Sequence, residues 1–286
     1  FSKKQAIHMD PHHSAYAMSI ASREVMQSIN EKRSLNYYWR LLATGVSFTL
    51  FGVGGVLIGG LVFPLLLLIP HQQMRTRLAR GIIQKAFRFF IEFMRFMGLL
   101  TYEVHGFEQL KTRRGLLIIA NHPSLLDVVF LGAFLDDVDC IVKSALFKNP
   151  VMIGPVRAAR YIANNIKDPE ALISTCTQRL SKQANLIVFP EGTRTVTHQG
   201  YRLQRGASNI AIRAHISPTP ILIQCAPPSL RKGERWYNIP FKKMHFSLSV
   251  QEDFPISAYD GLSSGIAARQ LTQDLTHYFS ERIPNG

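Results

Sequence analysis

The stretch Leu116-Leu117-Ile118-Ile119-Ala120-Asn121-His122-Pro123-Ser124-Leu125-Leu126-Asp127 passes from a short apolar run into a polar turn and then into a helical pattern. Five apolar residues rich in Ile and Leu suit a strand buried on both faces, and Pro123 biases His122 towards extended backbone, so the strand ends there. Similar runs recur at Cys140–Val142, Leu186–Phe189 and Ile221–Gln224. Segments with helical spacing follow at Leu125–Leu135, Pro169–Gln183 and Ala207–His215, with a last one at Ile266–Phe279. The alternation predicts an α/β fold with a mostly parallel central sheet flanked by helices. Ligands of such sheets bind in the crevice beyond the carboxyl ends of the strands, so the polar sequences that close two of these strands are the candidate site.

His122 and Asp127 would lie about 140° apart on one continuous helix, at about 100° per residue, and could not meet. With His122 closing the strand and Asp127 in the first helical turn they can. The carboxylate then reaches one ring nitrogen and leaves the other facing the crevice, the arrangement of an oriented general base for a hydroxyl proton. Ser124-x-x-Asp127 also matches a helix capping box, in which Asp127 only satisfies backbone donors. The residues alone leave these two readings level.

Asn-His-Pro-Ser-Leu-Leu-Asp at 121–127, taken with Phe189-Pro190-Glu191-Gly192-Thr193-Arg194 downstream, resembles the glycerolipid acyltransferases of the lysophosphatidic acid acyltransferase type. The likeness covers roughly residues 100–250. It implies that His122, oriented by Asp127, deprotonates an acceptor hydroxyl that attacks an acyl thioester directly, with acyl carrier protein or coenzyme A as donor and no acyl-enzyme. It implies an acceptor-binding role for Glu191, Gly192, Thr193 and Arg194, and places Lys143 near the reacting carbonyl, where a cation stabilises developing negative charge. No metal and no prosthetic group is implied. A serine lipase is separately disfavoured, because there is no Gly-x-Ser-x-Gly elbow. The proline motif of the family is represented by Ser217-Pro218-Thr219-Pro220-Ile221, which also reads as a turn before an inner strand.

One departure concerns the acceptor. Where common members carry an arginine that helps bind the acceptor phosphate, this chain reads Arg160-Tyr161-Ile162-Ala163-Asn164-Asn165. Asparagine donates hydrogen bonds but supplies no charge. Either Arg157, Arg160, Arg202 or Arg205 replaces it, with Asn164 as a further contact, or the acceptor differs, as a lyso-ornithine lipid would.

The 286 residues are 47% hydrophobic and 18% charged, ample for a core and unlike a disordered chain. The net charge of +14 is uneven: residues 1–100 hold 12 Lys/Arg and 4 Asp/Glu, a net +8, and the rest hold 21 and 15, a net +6. Such a chain attracts polyanions, either nucleic acid or an anionic membrane leaflet. From Leu41 to Pro70 no Asp, Glu, Lys, Arg or His interrupts an apolar run longer than the roughly 20 residues a bilayer needs. Gly45, Gly52, Gly54, Gly55, Gly59, Gly60 and Pro64 allow it to bend, so a tilted span and a re-entrant hairpin are both open, and basic residues on both flanks suit the hairpin. Arg77, Arg80, Gln84, Arg88, Glu92 and Arg95 then form a polar stripe on a helix that is otherwise Leu-, Ile-, Phe- and Met-rich, as at a headgroup boundary.

The expected organisation is an N-terminal cytoplasmic segment over 1–40, membrane-associated helices over 41–98, and a catalytic domain over 99–286 on the cytoplasmic side of the inner or plasma membrane. No cleaved signal peptide is expected. Nucleic-acid binding is disfavoured by the apolar run and the lack of a recognisable binding motif. A silent lipid-binding protein remains the alternative of another class. Cys140, Cys176 and Cys225, odd in number and far apart, suit buried thiols rather than disulfides or a metal centre.

Overall fold

The computed structural model describes residues 35–149, 152–164, 168–195 and 201–283, so most of the expected N-terminal segment, and Asn165, lie outside the described residues. Helix α1 (Leu35–Leu57) carries on through a π-helical turn, Ile58–Val62, into a last turn, Phe63–Leu66. The π turn stands just ahead of Pro64, whose ring and missing N–H conflict with regular α-helix geometry, and the wider turn accommodates both. After a turn at 67–71 the chain reverses into α2 (Gln72–Phe96). That helix closes with a Schellman pair, Leu99 N–H to Met94 O and Gly98 N–H to Arg95 O, each 3.0 Å. Phe51 of α1 stacks on Phe87 of α2 and packs at a tilt against Phe90, so the two helices form an antiparallel hairpin.

Among the described residues, seven strands make one sheet: β1 (Leu100–His105), β2 (Leu117–Ala120), β3 (Val138–Lys143), β4 (Ile162–Asn164), β5 (Asn185–Val188), β6 (Thr219–Ala226) and β7 (Met244–Val250), in the order β1-β7-β6-β2-β5-β3-β4. Five run parallel from β6 to β4, while β1 and β7 run the other way. The sheet is thus mostly parallel, as the sequence predicts. Alternate residues of β2 enter opposite layers. Ile118 and Ala120 join α2, α3 (Asp127–Phe134) and β7 in one core, and Leu117 and Ile119 join α5 (Pro169–Ser181), α6 (Gly206–Ala214) and α7 (Ser264–Arg282) in the other. A short helix, α4 (Ile153–Ala158), sits under the hairpin, where a Cβ on Gly154 would come within 2.8 Å of Gly59 Cα. Only glycine permits that approach.

Three features depart from the sequence reading. The strands β1, β4 and β7 are absent from it. Of the two readings of the proline motif, the turn before the strand falls, because Pro220 lies within β6, level with Ile119 of β2. The polar stripe of α2 turns in part towards the protein, while Arg77, Arg88 and Arg95 stay exposed. Arg80, only 8% exposed, pairs with Asp137 and the fully buried Asp139; Gln84 donates to Leu135 O and Asp136; Arg88 lies 4.2 Å over the Phe134 ring; Glu92 accepts from Tyr102 Oη. Helical periodicity shows that one face is polar, but the acidic residues that recruit it sit some 50 positions further on, at 136–139. The hairpin also exposes many apolar side chains, Leu42, Val46, Val53, Leu57, Leu61, Leu65, Leu78, Phe89 and Phe96, beside the exposed Arg77, Lys85, Arg88 and Arg95 of α2.

Candidate active site

The carboxyl ends of β2, β5, β3 and β4 lie side by side and carry, in that order, His122, Glu191, Lys143 and Asn164. Asn121 locks the first of these ends: its amide donates to Ile223 O and accepts from Ile223 N–H, both at 2.7 Å, tying β2 to β6. The chain then leaves the strand with His122, and α3 starts at Asp127. His122 Nδ1 donates to Asp127 Oδ2 at 2.9 Å, and Ser124 N–H donates to the same oxygen at 2.7 Å. Asp127 therefore does both things the sequence offered: it satisfies a backbone donor at the helix start and orients the imidazole.

The pair is held tightly. The Asp127 side chain has no exposed surface and that of His122 is 15% exposed. The ring stacks on Phe189 with centroids 4.3 Å apart, and the His122 carbonyl accepts from Thr195 N–H at 2.7 Å. Nε2 bonds to none of the described residues. Burial raises the Asp127 carboxyl to about 6, against the lowering influence of His122 and Ser124. Above that pH a buried negative charge lies against the imidazole. Such a pair can take a proton from a hydroxyl at Nε2 and hold the resulting charge.

Glu191 faces inward. Its Oε1 accepts from His122 N–H at 2.9 Å, Thr195 Oγ1 at 2.9 Å and Tyr201 Oη at 3.0 Å, and burial raises its pKa above the ordinary value. It fixes the backbone that presents His122. The turn Phe189-Pro190-Glu191-Gly192 is closed by Gly192 N–H to Phe189 O at 3.0 Å, and Gly192 has φ +69°, where a Cβ would also strike Gln204. Thr193 is half-buried in the same turn. Arg194 Nη1 donates to the carbonyls of Leu230 at 2.6 Å and Arg231 at 3.1 Å, and Leu230 O also accepts from Leu125 N–H at 3.2 Å. Sequence reasoning missed this loop, since nothing near 230 resembles a motif.

Lys143 is exposed at the end of β3, level with Asn164, whose carbonyl accepts from Ser144 Oγ at 2.6 Å. Arg160 is not brought to this edge. The register Ile141 to Ile162 sets it level with Asp139, at the amino end of β3, and Arg157 lies on α4 before it. Strand direction separates Arg160 from His122. Arg202 and Arg205 are exposed ahead of α6. No group of three or more His, Cys, Asp or Glu suited to a metal occurs among the described residues.

Residues 101–224 match the Acyltransferase family model. They belong to the acyltransferase family. The matched span begins in β1 and ends in β6, so it contains the whole His122 edge. Curated relatives include 1-acyl-sn-glycerol-3-phosphate acyltransferases and, over shorter spans, glycerol-3-phosphate acyltransferases of Arabidopsis thaliana. A 1-acyl-sn-glycerol-3-phosphate acyltransferase of Pseudomonas aeruginosa is 27% identical over 146 residues, 50% of this chain and 56% of that protein. The alpha form from Mus musculus is 26% identical over 192 residues, 64% of this chain and 65% of that protein. The chain spans about half the length of the first of these relatives. The fold of the acyltransferase domain and its hairpin is shared with a 1-acyl-sn-glycerophosphate acyltransferase from Thermotoga maritima, with a TM-score of 0.63, 20% identity, and coverage of 85% of this chain and 97% of that one.

Proposed function

We propose that this protein is a membrane-associated O-acyltransferase that moves a fatty acyl group from a thioester of acyl carrier protein or coenzyme A to the hydroxyl of a 1-acylglycerol-3-phosphate-like lysolipid. The observation that carries the reading is the 2.9 Å bond from His122 Nδ1 to the buried Asp127 carboxylate, with Nε2 unpartnered among the described residues at the carboxyl edge of the sheet. Nε2 takes the hydroxyl proton as that oxygen attacks the thioester carbon. Asp127 stabilises the imidazolium, and Lys143 is assigned to the oxyanion. Collapse breaks the C–S bond, and the departing thiolate takes the proton from His122. No covalent enzyme intermediate is needed, and Ser124, with no exposed side-chain surface, is not a nucleophile.

The outward apolar side of the hairpin is the membrane-facing surface. Leu35–Leu66 is long and apolar enough to cross a bilayer, but α2 brings the chain back along the same domain, which supports a hairpin seated in one leaflet. A second reading keeps the chemistry and changes the acceptor to a non-phosphate lipid such as lyso-ornithine lipid. It is favoured by Asn164 at the catalytic edge without a charge and by Arg160 lying away from it.

Purified protein in vesicles, offered both thioesters against 1-acylglycerol-3-phosphate, lyso-ornithine lipid and glycerol acceptors, tests this by product mass. Acylated lysophosphatidate supports the first reading and acylated lyso-ornithine lipid the second. Vesicle binding with no product from any acceptor contradicts both and favours a silent lipid-binding protein.

A further inference from the structure

We propose that the loop 231–243, Arg-Lys-Gly-Glu-Arg-Trp-Tyr-Asn-Ile-Pro-Phe-Lys-Lys, is a strap that binds anionic lipid headgroups and seats the catalytic edge on the membrane surface. It rests on the membrane reading of the hairpin and adds a second contact made by the catalytic domain. The loop is fastened to the first turns of α1. The buried Arg40 guanidinium donates to Pro240 O at 2.9 Å and to Phe241 O, and the Trp236 ring lies 6.1 Å from Phe48 and 3.6 Å from where a Cβ on Gly45 would stand.

This position is the rim of the apolar face. Trp236 and Tyr237, a T-shaped pair 5.6 Å apart, are 46% and 40% exposed, and Tyr38 and Trp39 of α1 are exposed at the same end, with Trp39 Nε1 donating to Met97 O at the close of α2. Further along α1 the exposed side chains are aliphatic: Leu42, Val46, Val53, Leu57, Leu61. Aromatic residues gathered at one end of an aliphatic stripe mark the headgroup level of a bilayer. The charge of the loop agrees. Lys232, Arg235, Lys242 and Lys243 are exposed, while the loop's one carboxylate, Glu234, is taken by Arg231, accepting at 2.7 Å from Nε and 2.9 Å from the backbone N–H. Cations beside apolar surface suit an anionic leaflet. An acidic carrier protein fits the charge but not the continuity with the aliphatic face.

The strap also reaches the site. Its root, Leu230, has φ +56° and turns its carbonyl to both Arg194 Nη1 and Leu125 N–H, three residues from His122. Headgroup contact at 232–243 therefore fixes the loop that holds one wall of the catalytic edge.

The chain's two tryptophans permit a direct test in the full-length protein. W39F leaves Trp236 as sole fluorophore and W236F leaves Trp39, each bound to vesicles of phosphatidylcholine, with or without phosphatidylglycerol, carrying a headgroup-level spin label. Trp236 is expected to be quenched more strongly on the anionic vesicles. K232Q/R235Q/K242Q/K243Q in the W39F background is expected to lose that increment and bind anionic vesicles at least about tenfold more weakly, with neutral vesicles unaffected. Quenching of Trp236 by aqueous iodide but not by lipid label, with Trp39 quenched by lipid, overturns the strap and spares the hairpin. Neither tryptophan quenched by lipid overturns both. Retained anionic preference in the quadruple variant, or a raised KM for acyl carrier protein thioester with lipid quenching intact, overturns the proposal in favour of another role for the loop.

Discussion

Asp127 and Asp139 are both fully buried, both begin or follow a turn beside the same parallel strands, and both have carboxyls raised by burial, yet they sit at opposite ends of the sheet with opposite kinds of partner. Asp139 is held between two guanidiniums, Arg80 of α2 and Arg179 of α5, the second at 3.6 Å. Neither partner can give up its proton, so the cluster ties the hairpin to the domain and does no chemistry. Asp127 faces an imidazole, a group that can both take and give a proton, and that ring keeps one nitrogen towards the open edge. A buried carboxylate acquires a reactive role from a titratable partner with access to substrate, and an architectural one from a permanent cation sealed inside.

Substitutions at the two sites should separate accordingly. The largest effect is expected from Asp127→Asn, which leaves the ring's shape and removes the charge behind it: turnover should fall by about 10²- to 10⁴-fold, read by product formation. Its stability should not fall with it. Because burial lifts the carboxyl from 3.8 to about 6, the native state holds a proton that the unfolded chain has lost between those values, so this group's contribution to stability declines as pH rises through that window. At pH 7.5 the asparagine variant should therefore melt at or above wild type, with the gap closing towards pH 4. Arg80→Met should do the reverse, lowering unfolding free energy by about 3–5 kcal/mol in denaturant titration while turnover per folded molecule stays near wild type. Adding Asp139→Leu should recover much of that loss. If instead Arg80→Met abolishes turnover in folded protein, the division between the two aspartates fails.

A smaller effect sharpens the same contrast. Wild-type kcat/KM should fall as pH drops through about 6, where Asp127 takes up a proton, and the Arg80 variants should keep that profile. Smallest of all is Glu191→Gln, whose amide oxygen still accepts from His122, Thr195 and Tyr201. Turnover should stay within about tenfold of wild type, whereas Glu191→Ala strands three donors at about 1–3 kcal/mol for each that stays buried and shows it in the melt.

What could be read in advance follows the range of the interactions. Strand β2, the break at Pro123 and the meeting of His122 with Asp127 depend on neighbours within a few residues, and their geometry was legible. So were the inner strands β3, β5 and β6, whose apolar runs report burial on both faces. The edge strand β1 and its neighbour β7 pair across more than 140 positions, and each alternates apolar with polar residues, a signal that a reading based on continuous apolar runs passes over. The inward turn of the α2 stripe needed Asp136, Asp137 and Asp139 in place, and the carbonyls that hold Arg194 belong to a loop 36 residues away. Arg160 was near the right motif in sequence and at the wrong end of a strand in space.

The most direct measurement compares wild type and His122→Ala in the same vesicles for acyl transfer from thioester to lysolipid, with thermal melts in parallel. A loss of at least about 100-fold with an unchanged melt is the predicted result for a general base acting at Nε2. Transfer within a few-fold of wild type from a folded His122→Ala protein would contradict it and remove the His122–Asp127 pair from the reaction.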